Sequence, residues 1–210
     1  MANFTRVKYG QVEPNQLSAQ KTGQIYASLP LDSDVDILQN GEFMYYDYAA
    51  GEVSADDSTG IAEPMLVFNE IKLYEPFWRT SYKDFAMIRV GDNYVTSDLA
   101  TAKYGDGSQT TGVAANPAHT EYPYRMDGIA PRLFKTNVGD IYTTNMVKTG
   151  VEYSVGELLV PVKNVNTKTL QLEKFTSETE GAKPTGMAWA VVKVYTMPDG
   201  QDGLKLQRVQ

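Results

Sequence analysis

The sequence predicts a mainly β protein, and three features point to that class. The 210 residues include 14 tyrosines, 17 glycines and 10 prolines. Apolar residues recur in short alternating runs, which is the pattern of half-buried strands, and turn-forming residues separate the runs. The hydrophobic content of 42% is sufficient for a packed core. We therefore expect a sandwich or barrel-like main domain with long loops, followed by a small β-barrel or sandwich.

Residues 1–24 are predicted to form an extended N-terminal arm. The segment is polar, its apolar residues show no regular period, and Glu13-Pro14-Asn15 marks a turn. Arg6 and Lys8 are not followed by an apolar stretch, so no secretory signal is expected. An arm of this kind can lie along a neighbouring subunit, although untidy chain ends are common in ordinary domains.

Residues 25–148 are predicted to form the β-rich main domain. Asn40-Gly41 lies between the apolar runs 35–39 and 42–48, and it predicts a hairpin because both residues tolerate the positive φ of a type I′ turn. Residues 65–74 form the strongest apolar strand candidate, and 81–90 have a short helix-like spacing. Residues 103–123 have little periodicity and are expected to form a long loop.

Residues 151–210 are predicted to form the small C-terminal β domain. Its strand candidates are short and evenly spaced, at 157–162, 170–174, 189–197 and 204–209. The polar stretch 198–203 contains two glycines and is expected to join the last two strands as a hairpin.

The composition limits the chemistry available to the chain. The chain has no cysteine, which excludes thiol nucleophiles, thiolate metal sites and disulfides. Its one histidine, His119, is the one side chain available as an ordinary proton shuttle near neutral pH. Asp32, Asp34 and Asp36 have the alternate spacing that opens a calcium loop, but the glycine and glutamate needed later in that loop are missing. We therefore predict no enzyme activity, no cofactor and no metal site.

The charge disfavours two classes of partner. The formal net charge is −7, and no basic cluster offsets it. An acidic surface repels phosphate backbones and anionic lipids, so neither nucleic acid nor membrane is expected as a partner. Tyrosine is enriched in protein interfaces, and it also fills β-sheet positions, so the 14 tyrosines are divided between these two roles.

Four segments together resemble structural proteins of tailed bacteriophages, specifically head decoration, or cement, proteins. They are residues 3–15, residues 65–74 with 81–86, residues 131–140, and residues 190–200. The resemblance implies a virion protein that binds the outer surface of the capsid and stabilises the shell. It also implies synthesis in the bacterial cytoplasm, the major capsid protein as partner, and self-association, commonly as a homotrimer.

The side chains expected at the capsid or subunit interface are Phe4, Arg6, Tyr9, Trp78, Tyr122 and Tyr124. A tail or baseplate component, or a glycan- or receptor-binding module, remains an alternative because aromatic residues cluster within 74–82 and precede the loop at 103–123. A hydrolase would require paired carboxylates, for which Glu70, Glu75 and Asp84 are the candidates.

Overall fold

A computed structural model describes residues 3–6, 10–35, 37–69, 87–89, 130–177, 182–197 and 200–210. Strands account for 41% of these residues, and helix is almost absent. The main structure is a curled antiparallel sheet that forms a half-barrel. The prediction of a mainly β, barrel-like protein is therefore confirmed.

Thirteen strands and one short helix occur within the described residues. The strands are β1 (Val12–Gln16), β2 (Ile25–Tyr26), β3 (Ile37–Gln39), β4 (Phe43–Asp47), β5 (Glu52–Ser54), β6 (Met65–Val67), β7 (Met87–Arg89), β8 (Leu133–Phe134), β9 (Ile141–Thr144), β10 (Leu158–Asn164), β11 (Thr169–Lys174), β12 (Trp189–Thr196) and β13 (Asp202–Arg208). The helix is α1 (Ser18–Thr22).

The large sheet has the strand order β1-β9-β13-β12-β10-β11-β4-β6-β8-β2, and β5 pairs with β4 beside this path. Strands β3 and β7 form a separate two-stranded sheet. The neighbours in the large sheet are antiparallel. Residues 87–89, which lie in the stretch with helix-like spacing, therefore form a strand; the rest of that stretch and the loop at 103–123 lie outside the described residues.

The curl of the sheet follows from the short connection between its two ends. Ten strands at about 4.8 Å spacing would span about 43 Å if the sheet were flat. The end strands β1 and β2 are joined by residues 17–24, which include α1. With five helical residues, this connection reaches about 25 Å at most. The first and last strands must therefore approach each other, and the sheet bends into a half-barrel.

Helix α1 is fixed in place at the gap between the two end strands. Leu17 and Ala19 are buried in the core. The Ser18 N–H and hydroxyl donate to the two carboxylate oxygens of Asp140 at 3.0 and 2.8 Å. Gly23 ends the helix in the left-handed region, with φ +71. Residues 12–24 are therefore part of the folded body, whereas the sequence predicts an extended arm for them.

The centre of the core is an aromatic group drawn from three distant strands. Trp189 of β12 packs on Phe43 of β4, with ring centroids 5.9 Å apart. The Tyr142 ring of β9 meets Trp189 edge-on at 4.8 Å. All three side chains are fully buried, and Trp189 contacts both of the others. Large apolar groups from three strands therefore pack together at this point.

Strands on both sides of residue 150 belong to the same sheet. β9 pairs with β13 from Leu204↔Thr144 to Gln207↔Ile141. β11 pairs with β4 at Leu170↔Phe43. The predicted division between residues 148 and 151 is therefore not a boundary between two sheets. The predicted hairpin within 189–209 is present, because β12 and β13 pair along their whole length.

The Asn40-Gly41 turn forms, but it does not make the predicted hairpin. The Glu42 N–H donates to the Gln39 carbonyl at 3.3 Å, which closes a four-residue turn. Gly41 alone has a positive φ, +93, whereas a type I′ turn needs a positive φ at Asn40 as well. A single positive φ at the third residue is typical of a type II turn, which splays its flanking strands. β3 and β4 accordingly join different sheets.

An open edge of the sheet is protected by proline. The Phe175 N–H donates to the Leu158 carbonyl at 2.8 Å. Leu158 and every second residue after it in β10 therefore direct their backbone hydrogen-bonding groups towards β11. The backbone of Pro161 therefore faces the opposite edge of β10, the one that pairs with β12. Among the described strands, that pairing ends at Leu159↔Trp189. Proline has no N–H to donate, so this edge is a poor template for a strand of another chain.

We expect Gly41→Ala to destabilise the fold by about 3 kcal/mol, because a positive φ and overpacking both oppose the new methyl group. A Cβ at this position would lie 2.6 Å from Met146 Cβ and 2.6 Å from Thr144 Oγ1. Urea denaturation gives the free energy of unfolding. Gly60→Ala is the matched control, because Gly60 also has a positive φ but its Cβ would meet no atom within 4 Å. Equal losses in both variants would contradict the packing argument.

Candidate functional site

The structure describes two of the six predicted interface residues. These are Phe4 and Arg6, and both lie in the N-terminal segment, by which we mean residues 3–6 and 10–11. Tyr9, Trp78, Tyr122 and Tyr124 lie outside the described residues. So do His119 and the three candidate carboxylates Glu70, Glu75 and Asp84, which leaves their predicted roles as predictions.

Phe4 anchors the N-terminal segment to the body of its own chain. Its ring is 4% exposed and meets the Tyr153 ring edge-on at 5.6 Å. Its N–H donates to the Val151 carbonyl at 2.8 Å, and its carbonyl accepts from the Gly150 N–H at 2.9 Å. Because the ring is packed inside the molecule, it offers no face to a partner in this conformation. The role that the structure gives Phe4 is internal packing.

The residues after Phe4 are held by separate contacts. The Thr5 N–H and hydroxyl both donate to Asp202 Oδ2 at 2.8 Å. The Gly10 N–H donates to Gln39 Oε1 at 2.8 Å, and the Gln11 N–H donates to Asn145 Oδ1 at 2.7 Å. Each partner is distant in sequence. The N-terminal segment is therefore attached to β13, to β3 and to the residue that follows β9.

Arg6 lies within electrostatic range of Glu42, a buried carboxyl group. Arg6 Nη1 donates to Met146 Sδ at 2.7 Å. Burial lowers the pKa of Arg6, and the negative charge of Glu42 acts in the opposite direction. Arginine stays protonated at any physiological pH even with a lowered pKa. Arg6 is thus a half-buried cation in the neighbourhood of Glu42.

Glu42 is a buried carboxyl group at the point where three parts of the chain meet. It is 3% exposed. Oε2 accepts from the Gln39 N–H at 2.7 Å, and Oε1 accepts from the Thr169 hydroxyl at 2.8 Å. Burial raises the pKa of Glu42 to about 7, although both hydrogen bonds and the charge of Arg6 act to lower it. The group therefore changes its charge near neutral pH.

Sequence reasoning did not single out Glu42. The sequence shows only that Glu42 is an acidic residue between the Asn40-Gly41 turn and the apolar strand that follows it. A charge next to an apolar strand is usually solvated. The hydrogen bond from Thr169 of β11 and the charge of Arg6 in the N-terminal segment both come from parts of the chain that are distant in sequence.

Three exposed apolar side chains lie on turns that are linked to one another, and we name this set of residues the turn face. It comprises Tyr48, Ile61 and Val165, which are 71%, 90% and 74% exposed. The Ser58 N–H donates to Asp47 Oδ2 at 2.9 Å, which ties the loop around Ile61 to the turn that carries Tyr48. The ion pair between Lys163 and Asp56, 2.5 Å apart, ties the same loop to the β10–β11 hairpin that carries Val165.

The carboxylates near this face are occupied by local backbone groups. Hydrogen bonds from Ser58 and from the Ala49 and Ala50 N–H groups hold the pKa of Asp47 down at about 2. Asp57 likewise accepts from Thr59 and from the Ala62 N–H, and these bonds lower its pKa. These carboxylates hold the turns in shape, so the turn face is a surface of well-defined geometry.

No set of three or more histidine or carboxylate side chains in the described ranges is arranged to hold a metal ion. Across the same parts of the chain, no helix has the length and apolar character to cross a membrane. The whole sequence matches no protein-family model, no curated protein and no solved structure.

Proposed function

We propose that the chain is a virion structural protein that binds the outer surface of a tailed-phage capsid and stabilises the shell. The observation that carries the proposal is the resemblance of four segments to head decoration proteins. In the fold, these segments contribute most of β1 and β12 and all of β6 and β8. The likeness therefore concerns scaffold strands that are far apart in sequence, and not one loop.

The physical mechanism of stabilisation is mass action. A protein that binds only the assembled shell lowers the free energy of that state by its own binding free energy. Repetition over a closed lattice makes many modest contacts sufficient, and no reaction chemistry is required. We include the major capsid protein and further copies of this chain among the partners, and we place the chain on the capsid exterior.

Among the described residues, we assign the proposed contact to the turn face. Its three apolar side chains project from turns that are hydrogen-bonded or ion-paired to one another. Interfaces of proteins bury apolar and aromatic side chains at their centres. The aromatic cluster that would favour a glycan- or receptor-binding module lies outside the described residues, as does the loop at 103–123.

The proposal is tested first by the number of copies in purified particles, counted against the major capsid protein by quantitative mass spectrometry. A ratio near one to one supports a shell-wide component. A few copies per particle would indicate a tail or vertex position, and absence would end the virion assignment.

The contact surface is tested by cosedimentation with shells that lack this protein. We expect Ile61→Asp with Val165→Asp to weaken binding at least about tenfold, because each places a charge in an apolar contact. Both side chains are exposed, so the fold should tolerate the changes. Val138→Asp is the matched control, as an exposed valine in the β8–β9 turn. Unchanged binding of the double variant would move the contact away from the turn face.

A further inference from the structure

Asn40-Gly41 is the one Asn-Gly pair in the sequence. In an open chain such a pair is prone to deamidation, because glycine has no side chain to hinder attack by its own backbone nitrogen. The Gly41 nitrogen loses its proton and bonds to the side-chain carbonyl carbon of Asn40, and the side-chain nitrogen leaves as ammonia. Water then opens the cyclic imide to aspartate or isoaspartate. The pair is therefore a candidate site of covalent self-modification.

Both reacting groups of the pair are engaged in the folded chain. The Gly41 N–H donates to the Val67 carbonyl at 2.9 Å. Asn40 Oδ1 accepts from the Asn69 N–H at 2.8 Å and from Asn69 Nδ2 at 3.4 Å. The Asn40 side chain is also buried, with 1% exposure. Attack would remove the Gly41 proton that Val67 accepts, and it would move the amide carbon whose oxygen Asn69 holds, so the fold opposes the reaction.

The backbone of this turn is also closely packed, and neither product of the reaction suits it. A Cβ built on Gly10 would be 2.2 Å from the Asn40 carbonyl oxygen, and one built on Gly41 would be 2.6 Å from both Met146 Cβ and Thr144 Oγ1. Isoaspartate carries the chain through its side chain and adds a methylene to the backbone, which lengthens the turn against these neighbours. Aspartate keeps the shape but places a carboxylate in a buried position.

We propose that Asn40 is a deamidation site that the closed turn keeps unreactive, and that isoaspartate formed there while the turn is open prevents the chain from regaining its fold. The proposal goes beyond the function proposed above and does not depend on it. The chain supplies both the nucleophile and the amide, and water is the co-reactant. Time spent unfolded then converts a reversible opening into an irreversible loss.

Peptide mapping by mass spectrometry measures loss of the Asn40 amide in mildly alkaline buffer, with and without urea. We expect the loss to be at least about a hundredfold slower in the folded chain, because the reaction proceeds only through the small open population. Thr167→Gly is the matched control, because it places a glycine after Asn166 in the exposed β10–β11 turn. The N–H that follows Asn166 donates at 3.4 Å, close to the limit of a hydrogen bond. In the folded variant, Asn166 should lose its amide at nearly its rate in urea, while Asn40 of the same molecule stays protected.

The second half of the proposal is tested by refolding. Chains aged in urea are diluted into buffer, and the folded and unfolded fractions are separated by size-exclusion chromatography. We expect the folded fraction to contain at least about tenfold less isoaspartate at position 40, because an added methylene is poorly tolerated in a closely packed site.

Three results would overturn the proposal. The first is equal rates of amide loss at Asn40 in the folded chain and in urea. The second is a rate at Asn40 in urea no faster than that at Asn166 of the wild type, which would show that the site is not reactive. The third is an equal content of isoaspartate in the folded and unfolded fractions. If Thr167→Gly fails to fold, the comparison of the wild-type chain with and without urea decides alone.

Discussion

Replacement of Trp189 by alanine is expected to destabilise the folded chain by about 4 kcal/mol, more than we expect for Gly41→Ala. Trp189 is fully buried and contacts Phe43 of β4 and Tyr142 of β9. Its loss removes a large apolar surface and leaves a cavity between strands that are far apart in sequence. Urea denaturation followed by far-ultraviolet circular dichroism measures the change without relying on tryptophan fluorescence.

Two further variants separate packing from other causes. Trp189 Nε1 finds no hydrogen-bond partner among the residues that the structure describes. Trp189→Phe should therefore lose only volume, and we expect a cost of about 1–2 kcal/mol. Val194→Ala removes an exposed side chain on the same strand and should change stability by less than about 0.5 kcal/mol. A loss below about 1 kcal/mol in Trp189→Ala would show that the aromatic group is not the centre of the core.

The second large effect concerns residues 151–210 produced as a separate fragment, which we expect not to fold. Removal of the preceding chain deprives β13 of β9 and deprives β11 of β4. Trp189 would lose both of its aromatic neighbours. A chain of about 60 residues buries only about 60% of its surface even when it is intact, so it has little stability to spare. The even strand spacing of this region predicts an independent unit, and the shared sheet argues the opposite.

The fragment is examined by circular dichroism, by proton NMR dispersion and by urea denaturation. We expect no cooperative transition and poor dispersion. The full chain should unfold in a single transition and, under limited proteolysis, should yield no protected fragment that begins near residue 150. A dispersed spectrum or such a fragment would restore the division into two folding units. The full chain that carries Val194→Ala serves as the control for the conditions.

The features that were predictable from the sequence are those that depend on neighbouring residues. The hairpin of β12 and β13 is local, because one polar loop with two glycines joins two alternating strands. The positive φ of Gly41 is also local, since glycine tolerates it without steric cost. The pairing of β3 and β4 was predicted wrongly because Asn40 does not adopt the second positive φ. Asparagine tolerates that conformation without requiring it, so the residue type alone does not decide the turn.

The features that could not be predicted depend on distant segments. A polar N-terminus with scattered apolar residues is typical of an arm, yet Leu17 is buried in the core and Phe4 is buried against Tyr153, which is distant in sequence. The surroundings of Glu42 have the same origin, because Thr169 of β11 and Arg6 of the N-terminal segment both act on its carboxyl group. Phe4 and Arg6 do make ordered contacts, but the sequence does not indicate that these contacts lie within their own chain.

The pairing of β1 with β9 has a consequence for synthesis of the protein. Val12 pairs with Thr144, so 144 − 12 = 132 residues must be added after Val12 before its partner exists. At about 5–20 residues per second, a ribosome needs about 7–26 s for that length. During this interval β1 is an unpaired strand that other chains can reach. Glu13 and Pro14 lie within it, and a charge and a proline both discourage pairing with the wrong chain. The polar character of β1 therefore suits a strand that stays unpaired for this long during synthesis.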